Sequence, residues 1–147
     1  ILGSRSVGIA IEHGATNRLF SNMVMGGKTG ILLFIRDSNG PASRDYVVDG
    51  NTIGGVTRGL VLRRTAHVRV RGNTFDGVDE GLVVDSTGRD AQVTGNIFLR
   101  AQQYFIVAPE LTAGSNYWAT ATEAEAAARV KGAIVLQPWF PASAAGY

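Results

Sequence analysis

The sequence predicts an all-β solenoid of about five short coils, or rungs, and three repeating features carry the prediction. Asparagines recur at intervals of 29, 22, 23 and 20 residues, glycines recur in step with them, and each repeat contains two short apolar strands. Self-similarity with a period of about 20 to 50 residues indicates stacked repeats that bury their apolar faces against one another. The asparagines are Asn22, Asn51, Asn73, Asn96 and Asn116, and the glycines are Gly8, Gly30, Gly59 and Gly81.

The composition of the 147 residues limits the classes of protein to consider. No apolar run is as long as the roughly 18 residues that a membrane-spanning helix needs, so no membrane partner is predicted. Cysteine is absent, which excludes disulfides and thiolate chemistry. Twelve of the fourteen cationic residues are arginine, whose planar guanidinium suits carboxylates and phosphates. Anionic ligands are therefore favoured, although the net charge is only +2 and the alternative is an ordinary solvated surface.

Each predicted rung follows one plan, with rungs of roughly 7–28, 29–57, 58–79, 80–101 and 102–118. The first strand follows the glycine, and in the fifth rung Tyr104 takes the place of the glycine before residues 105–107. The second strand precedes the asparagine, and apolar residues alternate along it, which excludes helices. Strand alternation turns inward the residue three before each asparagine: Leu19, Val48, Val70, Val93 and Ala113. The residue two after each asparagine forms another inward layer: Val24, Ile53, Phe75, Phe98 and Trp118.

The five asparagines are predicted to form a buried ladder at one corner of the coil. Neighbouring strands lie about 4.8 Å apart, so equivalent side chains of successive rungs form columns. Amide side chains in such a column hydrogen-bond to one another, as in other cross-β ladders. The asparagines are therefore assigned a structural role and not a ligand-binding one.

The first rung is predicted to be open to a neighbour. Leu2 stands six residues before Gly8, as Val24 stands six residues before Gly30, so the chain begins inside a rung. An open end of a solenoid exposes apolar columns and unpaired backbone. We expect either that further rungs precede Ile1 or that this rung pairs with a second copy, which would make a homo-oligomer.

The C-terminal part is predicted to form a cap, which divides the chain into a coil over 1–118 and a capping helix, strand and tail over 119–147. A capping box runs from Thr122 to Glu125, and the alanine-rich helix is expected to continue to Lys131 and stop at Gly132. A last strand over 134–137 then leads into 138–141, where Trp139 and Phe140 are expected to lie along the outside of the coil.

Several of these phrases resemble the right-handed parallel β-helix, or pectate-lyase-like, superfamily. The phrases are Gly50-Asn51-Thr52-Ile53, Gly72-Asn73-Thr74-Phe75, and Asn116-Tyr117-Trp118 followed by a helix and Pro138-Trp139. The resemblance covers nearly the whole chain. It is strongest to the branch with short asparagine-marked repeats, which includes the periplasmic copper-binding maturation protein of nitrous oxide reductase and many carbohydrate-binding or sugar-hydrolase-like domains.

The superfamily implies a glycan-facing groove along one sheet and a periplasmic or extracellular location. Its members of known activity are mostly polysaccharide lyases, hydrolases and uronate epimerases, besides phage tailspikes. No catalytic motif of those enzymes carries over residue by residue, because the aspartate pairs, the calcium site and the Asp-Pro-His-Asp phrase are missing from this sequence. Copper prefers clustered methionine or histidine ligands, whereas Met23, Met25, His13 and His67 are scattered, so no metal and no cofactor are predicted.

One candidate site lies at the corner where the second rung is longest. The extra residues, 35–45, form a loop rich in arginine and aspartate, and insertions in solenoids often lie on the binding face. We predict Glu12 and His13 as catalytic residues, one of which acts as the general base. Guanidinium groups would pair with a uronate carboxylate, and the predicted substrate-binding residues are Arg36, Asp37, Arg44, Asp45 and Arg63. The alternative is a set of surface ion pairs that only neutralise the loop.

Two further surfaces stand out on the predicted strands. The second strands carry a partly basic stripe that would bind an acidic glycan: Arg18, Arg69 and Arg71, with Asp49, Gln92 and Thr94. The first strands carry an apolar stripe on their predicted outer face: Ala10, Leu32, Val61, Val83 and Ile106. We expect Trp139 and Phe140 or a partner chain to cover that stripe. Nucleic acid is not a predicted partner, because the charge is low and surface aromatic residues are few. His67 is predicted to be an ordinary corner residue.

Two functions follow from these observations. The chain binds or modifies polysaccharide, and as an enzyme it would be a lyase, an epimerase or a glycoside hydrolase. The alternative is a structural or assembly module that self-associates through its open first rung or its apolar stripe.

Overall fold

The computed structural model describes residues 1–37 and 41–147 and is an all-β coil of parallel strands with about six turns. It confirms the predicted right-handed parallel β-helix. Ser38, Asn39 and Gly40 of the predicted 35–45 loop lie outside the described residues.

Three parallel sheets run along the coil. The largest contains β1 (Val7–Glu12), β3 (Met23–Phe34), β6 (Thr52–Leu62), β9 (Thr74–Val84), β11 (Ile97–Thr112), β12 (Asn116–Trp118), β13 (Val130–Val135) and β14 (Trp139–Pro141). The second contains β2 (Arg18–Phe20), β5 (Val47–Asp49), β8 (Arg69–Arg71) and β10 (Gln92–Thr94). The third pairs β4 (Ser43–Arg44) with β7 (Thr65–Ala66). A short helix α1 (Glu123–Ala127) and a 3-10 turn (Ala142–Ala145) complete the described structure.

The core consists of columns of like side chains, as the repeat predicts. The residues predicted to point inward from the second strands and from the positions after the asparagines are all buried. Along one column the Phe75 and Phe98 rings stack with centroids 5.0 Å apart, and the Phe98 and Trp118 rings stack at 4.7 Å. This continuous aromatic stack lies on the inner side of the eight-stranded sheet and ties consecutive rungs together.

The asparagines occupy one corner and bond along the coil axis. The residue before each asparagine has a left-handed backbone, for example Gly72 with φ +62° and Ser115 with φ +58°. This turn directs the amide inward. The Asn73 side-chain nitrogen donates to the Asn96 Oδ1 at 2.9 Å, and its Oδ1 accepts from the Asn51 backbone nitrogen at 2.9 Å. The same pattern links all five asparagines.

The glycine column leaves room for the aromatic and aliphatic column beside it. A Cβ at Gly30 would lie 2.7 Å from the Ile53 Cγ2 and 2.7 Å from the Gly59 carbonyl oxygen. Both distances are shorter than van der Waals contact, so a larger residue would separate the rungs. Glycine is therefore required at these positions by close packing and not by a turn.

The fifth rung corrects the predicted register. Phe105, and not Tyr104, stands where the other rungs have glycine, because Tyr104 pairs with Glu80 and Ile106 pairs with Leu82. Two residues lie between Ala101 and Tyr104 in β11, whereas one lies between their partners Val78 and Glu80 in β9. This extra residue turns Ile106 inward, where it is fully buried. The prediction of Ile106 as part of an outer apolar stripe was wrong.

The C-terminal part also differs from the prediction. The capping box from Thr122 to Glu125 is present, but α1 ends at Ala127 instead of continuing to Lys131. β13 begins at Val130 and pairs in parallel with β11, because the open edge of β11 offers backbone partners that an isolated helix lacks.

The last strand continues the coil instead of lying outside it. In β14, Trp139 pairs with Asn116, and Phe140 pairs with Tyr117. Their position in the coil places both aromatic residues at the end of the asparagine corner. The expectation that Trp139 and Phe140 cover the apolar stripe was therefore wrong.

Candidate functional site

The rim predicted from the long second rung brings together three of its residues. Glu12 ends β1, and its carboxylate lies 3.7 Å from the His13 Nε2 and 3.6 Å from an Arg36 terminal nitrogen. The backbone of His13 is left-handed, with φ +53°. Half of the His13 side chain and most of the Arg36 side chain are exposed.

The other rim residues form separate pairs. Arg44 lies 3.7 Å from Asp45, whereas Arg63 pairs with Asp85 of the next rung at 3.5 Å. Asp37 is exposed beside Arg36. Ion pairs of this exposure contribute little to stability. The rim can hold a proton-accepting carboxylate beside an imidazole, and the assigned roles of these residues stay predictions.

A second site lies on the four-stranded sheet, where a groove of about 420 Å³ crosses four rungs. Its floor is an outward column in register, with one residue from each strand: Arg18 of β2, Val47 of β5, Arg69 of β8 and Gln92 of β10. These side chains point outward because the residue that follows each of them is an inward member of the core. The groove therefore contains three residues of the basic stripe predicted from the sequence, Arg18, Arg69 and Gln92.

One wall of the groove is a column of corner residues: Thr16, Asp45, His67 and Asp90. Each has a left-handed backbone with φ between 51° and 59°, a conformation in which Asp and His are enriched. The Asp45 nitrogen donates to the Ala66 carbonyl at 3.1 Å, and the His67 nitrogen donates to the Arg89 carbonyl at 3.2 Å. The corner thus holds His67 in line between two carboxylates, of which Asp90 lies 3.7 Å from the His67 Nδ1.

Two guanidinium groups of the groove are available to a ligand. Within 1–37 and 41–147, Arg18 and Arg69 make no ion pair and no side-chain hydrogen bond. The neighbouring Arg71, by contrast, is held by Asp49 at 2.9 Å. Because Arg18 and Arg69 belong to alternate rungs, they lie about 9.6 Å apart at the usual strand spacing. The groove therefore presents two free cations along the coil axis.

Sequence reasoning found three of the four floor residues of this groove, and of the wall it named only Asp45, as a substrate-binding residue of the rim. His67 was predicted to be an ordinary corner residue, and it does lie at a corner, but one that lines the groove. Tyr46 was not singled out, although it is fully buried beside the groove and its hydroxyl has no hydrogen-bond partner among the described residues. The signal that could have found the wall is the spacing of Asp45, His67 and Asp90, which is close to one rung.

A larger cavity of about 600 Å³ lies between β11 and α1, but its polar groups are already used. Arg100 donates two hydrogen bonds to the Asp76 carboxylate at 2.6 and 2.8 Å, which lowers the pKa of Asp76. Arg129 donates to the Ala101 carbonyl and lies over the Phe105 ring, and Glu125 completes the capping box. These contacts join rungs to the cap, so the groove on the four-stranded sheet is the better candidate for a ligand.

Comparison with known proteins gives one match. The model of a family described as periplasmic copper-binding protein (NosD) matches residues 1–132. Comparisons with curated proteins and with solved structures found no match. A search of the described helices found none long and apolar enough to span a membrane.

The residues described here do not fit a copper site. Copper sites are built from thiolate, thioether and imidazole ligands that converge on one point. Met23 and Met25 lie in β3 of the eight-stranded sheet, whereas His67 lies at the corner that leads into the four-stranded sheet. In the described part of the chain, no group of three or more His, Cys, Asp or Glu is arranged to hold a metal ion.

Proposed function

The chain belongs to the NosD family, and from the geometry of the groove on the four-stranded sheet we propose that it is a polysaccharide-binding module that takes acidic glycans there. The observation that carries the proposal is the pair of unpaired guanidinium groups, Arg18 and Arg69, on the floor of an open groove. Arginine's planar fork pairs with a carboxylate through two parallel hydrogen bonds.

The shape of the groove suits an extended chain of sugars. It runs along the coil axis over four rungs, so successive sugars would meet successive strands. Val47 offers an apolar contact to a sugar face between the two arginines, and Gln92 offers an amide to hydroxyl groups. Asp45 and Asp90 of the wall accept hydrogen bonds from sugar hydroxyls. The family's description as periplasmic agrees with the predicted periplasmic or extracellular location, where such polymers are met.

The test compares two arginines on one strand that differ in whether they are paired. Arg69→Gln is expected to weaken binding of an acidic polysaccharide about tenfold or more, because a hydrogen bond to a charged group contributes about 1.5 to 3 kcal/mol. Arg71→Gln removes the same charge two residues away, but that charge is already neutralised by Asp49. Isothermal titration calorimetry on a panel of acidic and neutral polysaccharides gives both values. Equal losses in the two variants would contradict the proposal.

The catalytic hypothesis concerns the rim and not the groove. Glu12 lies between His13 and Arg36, which is the arrangement of a carboxylate base with a cationic partner. In this hypothesis Glu12 or His13 removes a proton from a bound sugar, as in a lyase or epimerase, or activates water, as in a hydrolase. A glycan held by Arg36, Asp37, Arg44, Asp45 and Arg63 would connect the rim to the groove through Asp45, which belongs to both.

The assembly alternative has its own supporting observation. Four of the exposed large apolar side chains lie in the first 23 residues: Ile1, Leu2, Phe20 and Met23. We propose self-association through this first-rung surface as the second function. Sedimentation of the chain over a range of concentrations tests it, and Met23→Lys should shift any dimer to monomer. An unchanged monomer at all concentrations would contradict it.

A further inference from the structure

The floor of the groove alternates between charged and neutral residues along the coil axis. In order of rungs the column reads Arg18, Val47, Arg69 and Gln92, and the strand pairings place these residues directly opposite one another. A free cation therefore occurs in every second rung and not in every rung. Two strand spacings of about 4.8 Å give a charge repeat of about 9.6 Å.

The rung of Val47, between the two arginines, is unfavourable for an anion. At Val47 an acidic group would meet an apolar side chain, and the wall residue of the same rung is the carboxylate Asp45. The next outward residue of that strand, Asp49, is a carboxylate already occupied by Arg71. The Arg44 guanidinium of the same rung lies 3.7 Å from Asp45 and is already paired. A negative charge at this position would thus lose water without gaining an unpaired cation. The fourth rung is similar, since Gln92 is neutral and the corner residue is Asp90.

We infer that the groove selects a polysaccharide with one acidic group per disaccharide, in which uronate and neutral sugars alternate, over a polymer with a uronate at every sugar. This inference rests on the proposed function. The two free guanidinium groups recur at two strand spacings, about 9.6 Å, which suits acidic groups that recur once per disaccharide and not once per sugar. Each uronate then meets Arg18 or Arg69, and the neutral sugar between them packs on Val47.

The test uses three oligosaccharides of equal length: an alternating uronate and N-acetylhexosamine chain, a homopolymer of uronate, and a neutral chain. At about 0.15 M salt, where long-range attraction is screened, the chain is expected to bind the alternating oligosaccharide at least fivefold more tightly than the homopolymer. Non-specific attraction would give the opposite order, because the homopolymer carries twice the charge.

A gain-of-charge variant makes the test independent of loss of folding. Val47→Arg continues the column of outward arginines at a half-buried position and should raise the affinity for the homopolymer enough to reverse the preference. Gln102→Arg adds the same charge at an exposed position of β11, outside the groove, and is the matched control; it should leave the order of the two acidic ligands unchanged. Circular dichroism of both variants checks that the coil is intact.

The outcomes separate the inference from the proposed function. Tighter binding of the alternating chain, reversed in Val47→Arg, supports the inference. Equal or tighter binding of the homopolymer by the unmodified chain, with Val47→Arg leaving the ratio unchanged, overturns the inference and leaves the proposed function standing. Failure of both acidic oligosaccharides to bind better than the neutral one overturns the proposed function and the inference with it.

Discussion

Replacing Asn73 by alanine tests the idea that the ladder holds the coil together. Asn73 is fully buried at the middle of the ladder. Its side-chain nitrogen donates to the carbonyls of Val48 and Arg71 at 2.8 and 3.0 Å, and to the Asn96 Oδ1 at 2.9 Å. Its Oδ1 accepts from the backbone and side-chain nitrogens of Asn51 at 2.9 and 2.8 Å.

The expected loss follows from the groups that the substitution leaves unsatisfied. The Asn51 backbone N–H and the Val48 carbonyl would each lose this partner inside the coil, and a buried unsatisfied group costs about 1 to 3 kcal/mol. The Asn51 side-chain nitrogen keeps a bond to the Leu19 carbonyl at 2.9 Å, and the Asn96 Oδ1 keeps its bond from the Asn73 backbone at 3.0 Å. We therefore expect a decrease of about 2 to 6 kcal/mol in the free energy of unfolding.

The assay is urea denaturation followed by circular dichroism, with the slope of the transition checked between variants. Asn22→Ala is the matched control. Asn22 is at the edge of the ladder and is only partly buried, and the Asn51 Oδ1 that it contacts still accepts from the Asn22 backbone at 2.9 Å. A decrease of about 1 kcal/mol or less is expected for it.

Similar losses in Asn73→Ala and Asn22→Ala would refute the reasoning, because the two positions differ mainly in buried, unsatisfied partners. Asn73→Asp tests the role of the amide donor separately, because aspartate has almost the same shape as asparagine. It keeps the acceptor of the Asn51 donors but replaces the amide donor by a carboxylate that faces two carbonyl oxygens. It should destabilise the chain at least as much as alanine does at neutral pH.

Three further predictions concern single side chains. Tyr46→Phe should change the unfolding free energy by less than about 1 kcal/mol, or stabilise the chain, because the lost hydroxyl is buried without a partner. Arg100 lowers the pKa of Asp76, so the stability that this pair contributes is present above the pKa of the unfolded chain and is lost as pH falls through the lower pKa of the folded chain. In Arg100→Gln, the free energy of unfolding measured with urea should therefore decrease less between pH 7 and pH 3 than in the unmodified chain. Any turnover of a bound polysaccharide, followed by release of reducing ends or by NMR, should disappear in Glu12→Gln and His13→Ala while binding persists.

Each of these predictions has an outcome that contradicts it. A loss well above 1 kcal/mol in Tyr46→Phe, against the scale of about 1 kcal/mol for an ordinary hydrogen bond, would mean that the hydroxyl has a bonding partner. Equal loss of stability at low pH in the unmodified chain and in Arg100→Gln would mean that the Asp76 contact does not contribute to the pH dependence. Arg58→Gln is the control, because Arg58 forms a weaker pair with Glu80 at 3.8 Å. Turnover that survives both rim substitutions would end the assignment of catalysis to the rim.

The candidate site was predictable in part. The spacing of Arg18, Arg69 and Gln92 relative to the asparagines places them on one outer face, so a basic stripe followed from the sequence. The sequence did not reveal which arginines would be free. Arg71 is neutralised by Asp49, and Arg63 by Asp85, each from an adjacent rung and 22 residues away in the chain. Such pairs depend on the stacking register and on side-chain directions across rungs.

The sequence by itself determined the period of the coil, the glycine column and the inward layers, because the position of a residue within a repeat sets its place on the rung and hydrophobic alternation sets its direction. Tertiary structure decided the end of the coil. Val130–Val135 forms a strand paired with the open edge of β11, although the preceding sequence favours a helix. Tertiary structure also decided the fifth register, through one extra residue before Tyr104. Both outcomes arise from backbone pairing between distant segments, whose free energy outweighs the local preferences that a sequence displays.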